Sequence, residues 1–128
     1  MGSGAIKNAQ ITASSAYNKF HAASLGRLGR TKRGRYIGAW CARHNNHNQW
    51  FKVDFGLPMK ITKIDTQGRQ DYGQWVTRYL LSSSQDGIHW SMYRYKSNDK
   101  VACYGGLCSF TRYSSRSTEK FPELLNTY

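Results

Sequence analysis

A chain of 128 residues with 19 basic and 7 acidic side chains carries a formal charge of 19 − 7 = +12 and suits one domain with a single core. With 39% hydrophobic and 14% aromatic residues and two Pro, it reads as globular and β-rich. No apolar run approaches the roughly 18 residues of a membrane-spanning helix.

Residues 1–16 read as a small-residue lead into a short strand, Gln10 to Ser14. The opening GSGAIKNAQ lacks the apolar stretch of a signal peptide, so any leader is expected outside this sequence. Residues 17–39 show neither strand nor helix periodicity, and a loop of that length is usually functional or disordered. Their centre, Gly26 to Arg35, is the densest basic run in the chain. A strand is predicted over Trp50 to Phe55, where Phe51, Val53 and Phe55 share one face and Trp50, Lys52 and Asp54 the other. Lys60 to Gln67 is a further strand, rich in Ile and Thr. Arg69 to Trp75 is a polar and aromatic loop, followed by a strand from Val76 to Ser83. Asp86-Gly87 predicts a tight hairpin with positive φ at both positions, leading into a strand from His89 to Tyr95. Trp40, Trp50, Phe51, Val53, Phe55, Ile64, Leu81 and Trp90 are the expected core. Val101 to Tyr113 has the composition of a Gly-Gly hairpin, and a frayed tail is expected beyond it.

Charge is distributed unevenly. No Asp or Glu precedes Asp54, whereas nine Lys and Arg do. Such a field attracts acidic membrane, sulfated glycan or nucleic acid, or it simply keeps the surface solvated. Nucleic acid is the least favoured, because no nucleic-acid fold signature accompanies the charge. No nucleophile stands at a recognisable spacing from a base and no carboxylates are paired, so an enzyme is not expected. Cys103 and Cys108 are spaced for a small hairpin disulfide that would leave Cys41 over; three free thiols are the alternative. His44 and His47 lack a third ligand, and no metal site is assigned.

In order, these pieces resemble the discoidin domain, also called the coagulation factor V/VIII type C domain. Ser3 to Ser15 (SGAIKNAQITASS) looks like the family's opening strand, and Gly38 to Gly56 (GAWCARHNNHNQWFKVDFG) like its Trp-containing strand pair. Met59 to Asp71 (MKITKIDTQGRQD) and Val76 to Trp90 (VTRYLLSSSQDGIHW) look like the next strands and their hairpin. The resemblance implies an all-β fold, an antiparallel distorted jelly-roll sandwich of discoidin type. It implies a non-enzymatic adhesion module, extracellular or at the cell surface, binding acidic phospholipid, protein or glycan through loop spikes. The matching residues delimit a discoidin-like unit over 1–96 and a divergent segment over 97–128, so the sandwich is expected to be incomplete at its C-terminus. The family's opening Cys is absent too. An open strand edge would favour pairing with a second copy, which makes a homo-oligomer the rival reading.

By position, the first spike runs from Tyr17 to Leu28 and the second from Arg69 to Trp75. The expected ligand contacts are Tyr17, Lys19, Phe20, His21 and Arg27 from the first, and Arg69, Tyr72, Trp75 and the adjacent Arg78 from the second. Rings at head-group level with cations on the phosphates suit a membrane interface. Phe20 and Trp75 could instead fold back under their own loops. Arg30, Lys32, Arg33 and Arg35 form a candidate polyanion patch, since guanidinium planes grip oxyanions bidentately. No cofactor is assigned. Family members sometimes hold calcium, but nothing fixes which of Asp54, Asp65, Asp71, Asp86 and Asp99 would serve.

Overall fold

The computed structural model describes residues 6–57, 59–61 and 63–93, together with the backbone of two later strands. Its regular elements are short strands and single helical turns. Strands β1 (Ile11–Ala13) and β2 (Phe51–Val53) pair antiparallel, with Ile11 opposite Val53 and Ala13 opposite Phe51. Alternation along β2 is as the sequence predicts: Phe51 and Val53 are buried and Lys52 between them is half-buried. Ile6, Ile11, Phe51 and Val53 form the core cluster, and Ala13, Ala23, Trp40 and Phe55 pack on it. Trp40 lies against Phe51 with ring centroids 5.3 Å apart, and its indole N–H donates to the Ser15 carbonyl at 2.8 Å. Gly26 passes so close that a Cβ there would sit 2.9 Å from the Phe51 ring.

The polar stretch before β2 is tied into this framework. Gln49 is buried; its Oε1 accepts from the Ser14 and Ser15 hydroxyls and its Nε2 donates to Asn46. Gln10 braces the other end of the pair, donating to the Asp54 carbonyl at 2.8 Å.

Strand β3 (Lys63–Gln67) is followed by the second spike, then by β4 (Arg78–Tyr79), β5 (Ser82–Ser83) and β6 (Ser91–Met92). The predicted strand over Val76 to Ser83 is thus two short ones. β5 and β6 pair with Ser82 opposite Met92 and Ser83 opposite Ser91. Their connection differs from the expected two-residue turn. Gly87 has φ of +74°, but the loop is organised by the Asp86 carboxylate. Asp86 Oδ1 accepts from the Ile88 and His89 amides, both at 2.8 Å, and from the Ser84 hydroxyl, while Oδ2 meets His89 Nδ1 at 2.6 Å. A carboxylate satisfying several local donors replaces the tight turn. Those contacts, the His89 side chain first, hold the Asp86 carboxyl far below the usual carboxylate range. Trp90, expected in the core, is 38% exposed; the longer loop carries it outward.

Strands β7 (Val101–Ala102) and β8 (Leu107–Thr111) pair antiparallel with β4 and β3 respectively. β8 overlaps the position of the second arm of the hairpin expected over 101–113, but the two arms lie on different partners. That hairpin's turn, including Cys103, and the tail beyond 111 lie outside the described residues.

Candidate functional site

The first spike is built from two single helical turns. Asn18 caps the turn Lys19–His21, its Oδ1 accepting from the Phe20 amide at 2.9 Å and meeting His21 Nδ1 at 2.7 Å. The next turn, Ala23–Leu25, packs on β1 and buries Leu25. Backbone bonds tie the spike to the following segment: Tyr17 N donates to Cys41 O at 2.9 Å, and Cys41 N to His21 O at 3.4 Å. Tyr17 projects, 64% exposed, with its ring 5.2 Å from His21. Phe20 is half-buried, edge-on to Tyr36 at 5.3 Å, with Lys19 Nζ 5.3 Å above its ring.

The basic run that follows is a small exposed hairpin. Arg33 and Tyr36 exchange two backbone hydrogen bonds, at 2.8 and 3.0 Å, around Gly34 with φ of +57°. Gly38, at φ +71°, faces Thr31 so closely that a Cβ there would sit 2.5 Å from the Thr31 carbonyl oxygen. Arg30, Lys32, Arg33 and Arg35 are all exposed.

In the second spike the central contact is between Arg69 and Asp71. The guanidinium donates from Nε to Oδ1 at 2.6 Å and from a terminal nitrogen to Oδ2 at 3.2 Å. Its other terminal nitrogen reaches Gln74 Oε1 at 3.1 Å, and the Arg69 amide donates to Gln74 O at 2.8 Å. Asp71 Oδ2 also faces Lys32 Nζ at 3.4 Å, which joins this loop to the basic hairpin. A second tie runs from the Gly29 amide to Gln67 Oε1 at 2.9 Å. The Arg69 guanidinium lies 5.4 Å from the Tyr72 ring. Tyr72 and Trp75 are 65% and 48% exposed. Trp75 therefore does not fold back under its loop.

Local electrostatics follow from this packing. The Arg69 hydrogen bonds, with Lys32 assisting, hold the Asp71 carboxyl at about 2. Burial and then the Arg69 charge lower the His21 pKa, with Asp71 acting in the opposite sense. Burial raises that of the half-buried Cys41 thiol.

A family model described as the F5/8 type C domain matches residues 10–106, a span that includes both spikes. This chain belongs to that family. Rat (Rattus norvegicus) lactadherin is 39% identical over 101 residues, which is 75% of this chain and 24% of lactadherin. Coagulation factor V of pig (Sus scrofa) is 40% identical over 112 residues, 79% of this chain and 5% of that protein. The chain thus spans a quarter or less of these relatives. Among solved structures, discoidin II of Dictyostelium discoideum superposes with a TM-score of 0.79 at 20% identity, over 91% of this chain and 49% of that one. A Clostridium perfringens module solved in complex with GalNAc-beta-1,3-galactose superposes with a TM-score of 0.63 at 20% identity, over 94% and 85% of the two chains. The fold is the all-β discoidin sandwich.

On this F5/8 type C domain the residues singled out from sequence separate into groups. Tyr17 and His21 contact each other, Lys19, Phe20 and Tyr36 form a second row of contacts, and Arg69, Tyr72 and Lys32 form a cluster around Arg69 and Asp71. Arg27 points elsewhere. Its guanidinium donates to Ile6 O at 2.7 Å, to Asn8 Oδ1 at 3.0 Å and to Ser24 O at 3.3 Å, bracing the chain start against the first spike. Arg78 is exposed on β4, and among the described residues no contact ties it to the cluster. Sequence reasoning missed Asp71 and Gln67 as the residues that join the loops, and Gln74 as a brace within the second spike. The i,i+2 spacing of Arg69 and Asp71 was the available signal for the first of these. Among the described residues no three His, Cys, Asp or Glu side chains gather as a metal site.

Proposed function

We propose that this F5/8 type C domain is a recognition module that docks its two spikes on an acidic phospholipid surface, in an extracellular or cell-surface setting. The observation that carries the reading is the joint exposure of Tyr17, Tyr72 and Trp75, the first on a spike tied by backbone bonds to Cys41 and the other two on a spike that Asp71 ties to the basic hairpin. Amphipathic rings held on a braced rim can enter the head-group layer without first ordering their loops, while neighbouring cations meet phosphate. Lys19, Arg30, Arg33 and Arg35 are exposed cations on the first spike and the basic hairpin that follows it. At about 1 kcal/mol each they would supply about 4 kcal/mol, a millimolar Kd, and insertion of the rings would tighten it.

An anionic or sulfated glycan is the second reading. It is favoured by the exposed guanidinium groups of Arg30, Arg33 and Arg35 and by the fold shared with a module solved with a disaccharide. Sedimentation with phosphatidylserine vesicles and with phosphatidylcholine vesicles, across a salt series and with heparin as competitor, separates the two. Binding that requires phosphatidylserine, weakens with salt and shifts Trp fluorescence to the blue supports lipid docking. Equal binding to both vesicles, or none, overturns it, and capture by heparin alone selects the glycan.

A further inference from the structure

Between the buried anchors Leu25 and Ile37 lie nine consecutive exposed residues, Leu28 to Tyr36, the longest such run among the described residues. Its centre reads Arg30-Thr31-Lys32-Arg33-Gly34. We propose that the Arg33–Gly34 peptide bond is a processing site for an endoprotease specific for paired basic residues. Arg33 would enter the primary pocket, Lys32 the adjacent subsite and Arg30 a third, three residues upstream of Arg33. This inference is independent of the lipid reading.

Chemistry and geometry both favour this bond. A protease that selects Arg holds the guanidinium on a carboxylate at the pocket base, and a cleft with further carboxylates is complementary to three cations in this spacing. Among the described residues the Arg30 and Arg33 side chains have no hydrogen bond or ion pair to give up. Lys32 has one exposed contact, to Asp71 at 3.4 Å. Gly34 offers no side chain to obstruct the leaving side of the cleft.

The obstacle is conformational. Proteases bind extended backbone, whereas the bond sits in a turn closed by the two Arg33–Tyr36 hydrogen bonds. Both bonds lie on the exposed run, so local opening breaks them without disturbing Leu25 or Ile37. Water then adds to the Arg33 carbonyl carbon and the C–N bond breaks. Arg33 is left as a carboxylate and Gly34 as an ammonium group. The pieces remain joined, because β1 precedes the cut, β2 follows it, and the two strands share the core.

The test is limited digestion of the full chain with a proprotein convertase requiring basic residues at these positions, read by intact mass. A free peptide of residues 28–38 serves as the accessibility control. The expected result is one early cut giving 1–33 and 34–128. R33Q should slow it at least about a hundredfold and R30A at least about tenfold, while trypsin still cuts R30A after Arg33. A chain left intact under conditions that fully cleave the peptide overturns the proposal. So does an earlier cut elsewhere, or an unchanged rate in R33Q.

Discussion

Arg69 and Asp71 are bound to each other at both carboxylate oxygens, at 2.6 and 3.2 Å, with side chains only 17% and 15% exposed. The arginine at the start of the second spike is therefore a brace for that spike before it is a ligand contact. Asp71 also accepts Lys32, so one carboxylate engages two of the cations that the sequence offers to a polyanion. This relationship gives a pH prediction with a definite sign. Asp71 titrates at about 2 in the folded chain, below the ordinary Asp value of about 3.9. Its contribution to order is fully present above about pH 4 and is lost as the pH falls through about 2. Hydrogen exchange at the Arg69 amide, which donates to Gln74 O, should accelerate over that window after correction for intrinsic rates. D71N should remove the pH dependence and leave the amide fast throughout; a slow amide in D71N would show that the loop is held by something else.

The exposed rings should be separable from folding. Y72A and W75A are each expected to weaken binding to phosphatidylserine vesicles by about tenfold and to change stability by no more than about 0.5 kcal/mol. Paired vesicle-binding and thermal-unfolding measurements check this. A large stability loss in W75A would return that ring to the core.

Cations on the basic hairpin should act through charge alone. Neutralising Arg30, Arg33 and Arg35 together to Gln should weaken acidic-vesicle binding by about a hundredfold, at about 1 kcal/mol per charge. The salt dependence should become shallower, while Trp fluorescence of the free protein stays the same. R27Q should behave differently, because Arg27 braces Ile6 and Asn8. Its effect should appear in stability first.

Two glycines of that hairpin should respond unequally to a methyl group. Gly34 has positive φ with nothing within 4 Å of a notional Cβ, whereas Gly38 has positive φ and a Thr31 oxygen at 2.5 Å. G34A should cost about 1 kcal/mol from backbone strain, and G38A more than about 2 kcal/mol because a backbone overlap is added. Denaturant unfolding of both variants tests the order.

At the core, F51A should destabilise by about 3–5 kcal/mol, since Phe51 is buried against Trp40 and beside Gly26. A smaller loss would mean that Trp40 moves into the space.

Much of the framework was legible in the chain itself. Phe51 and Val53 alternate with Lys52 because a strand buried on one face requires that period. The family blocks from Ser3 to Trp90 then supplied the sandwich and placed residues 17–28 and 69–75 on connections between its strands. Local chemistry misled at Asp86-Gly87, where the dipeptide signals a tight turn but the Asp86 carboxylate gathers amides two and three residues on into a longer loop. Sequence spacing could not separate the cations, either. Arg27, Arg69 and Arg78 carry equal charge, and only the tertiary structure turns the first onto Ile6 and the second onto Asp71 while leaving the third exposed on β4. Residue identity and period determine which segments can be strands, because side-chain direction is local. Which charges are left for a partner depends on distances between residues far apart in the chain, such as Lys32 and Asp71, and those distances exist only after folding.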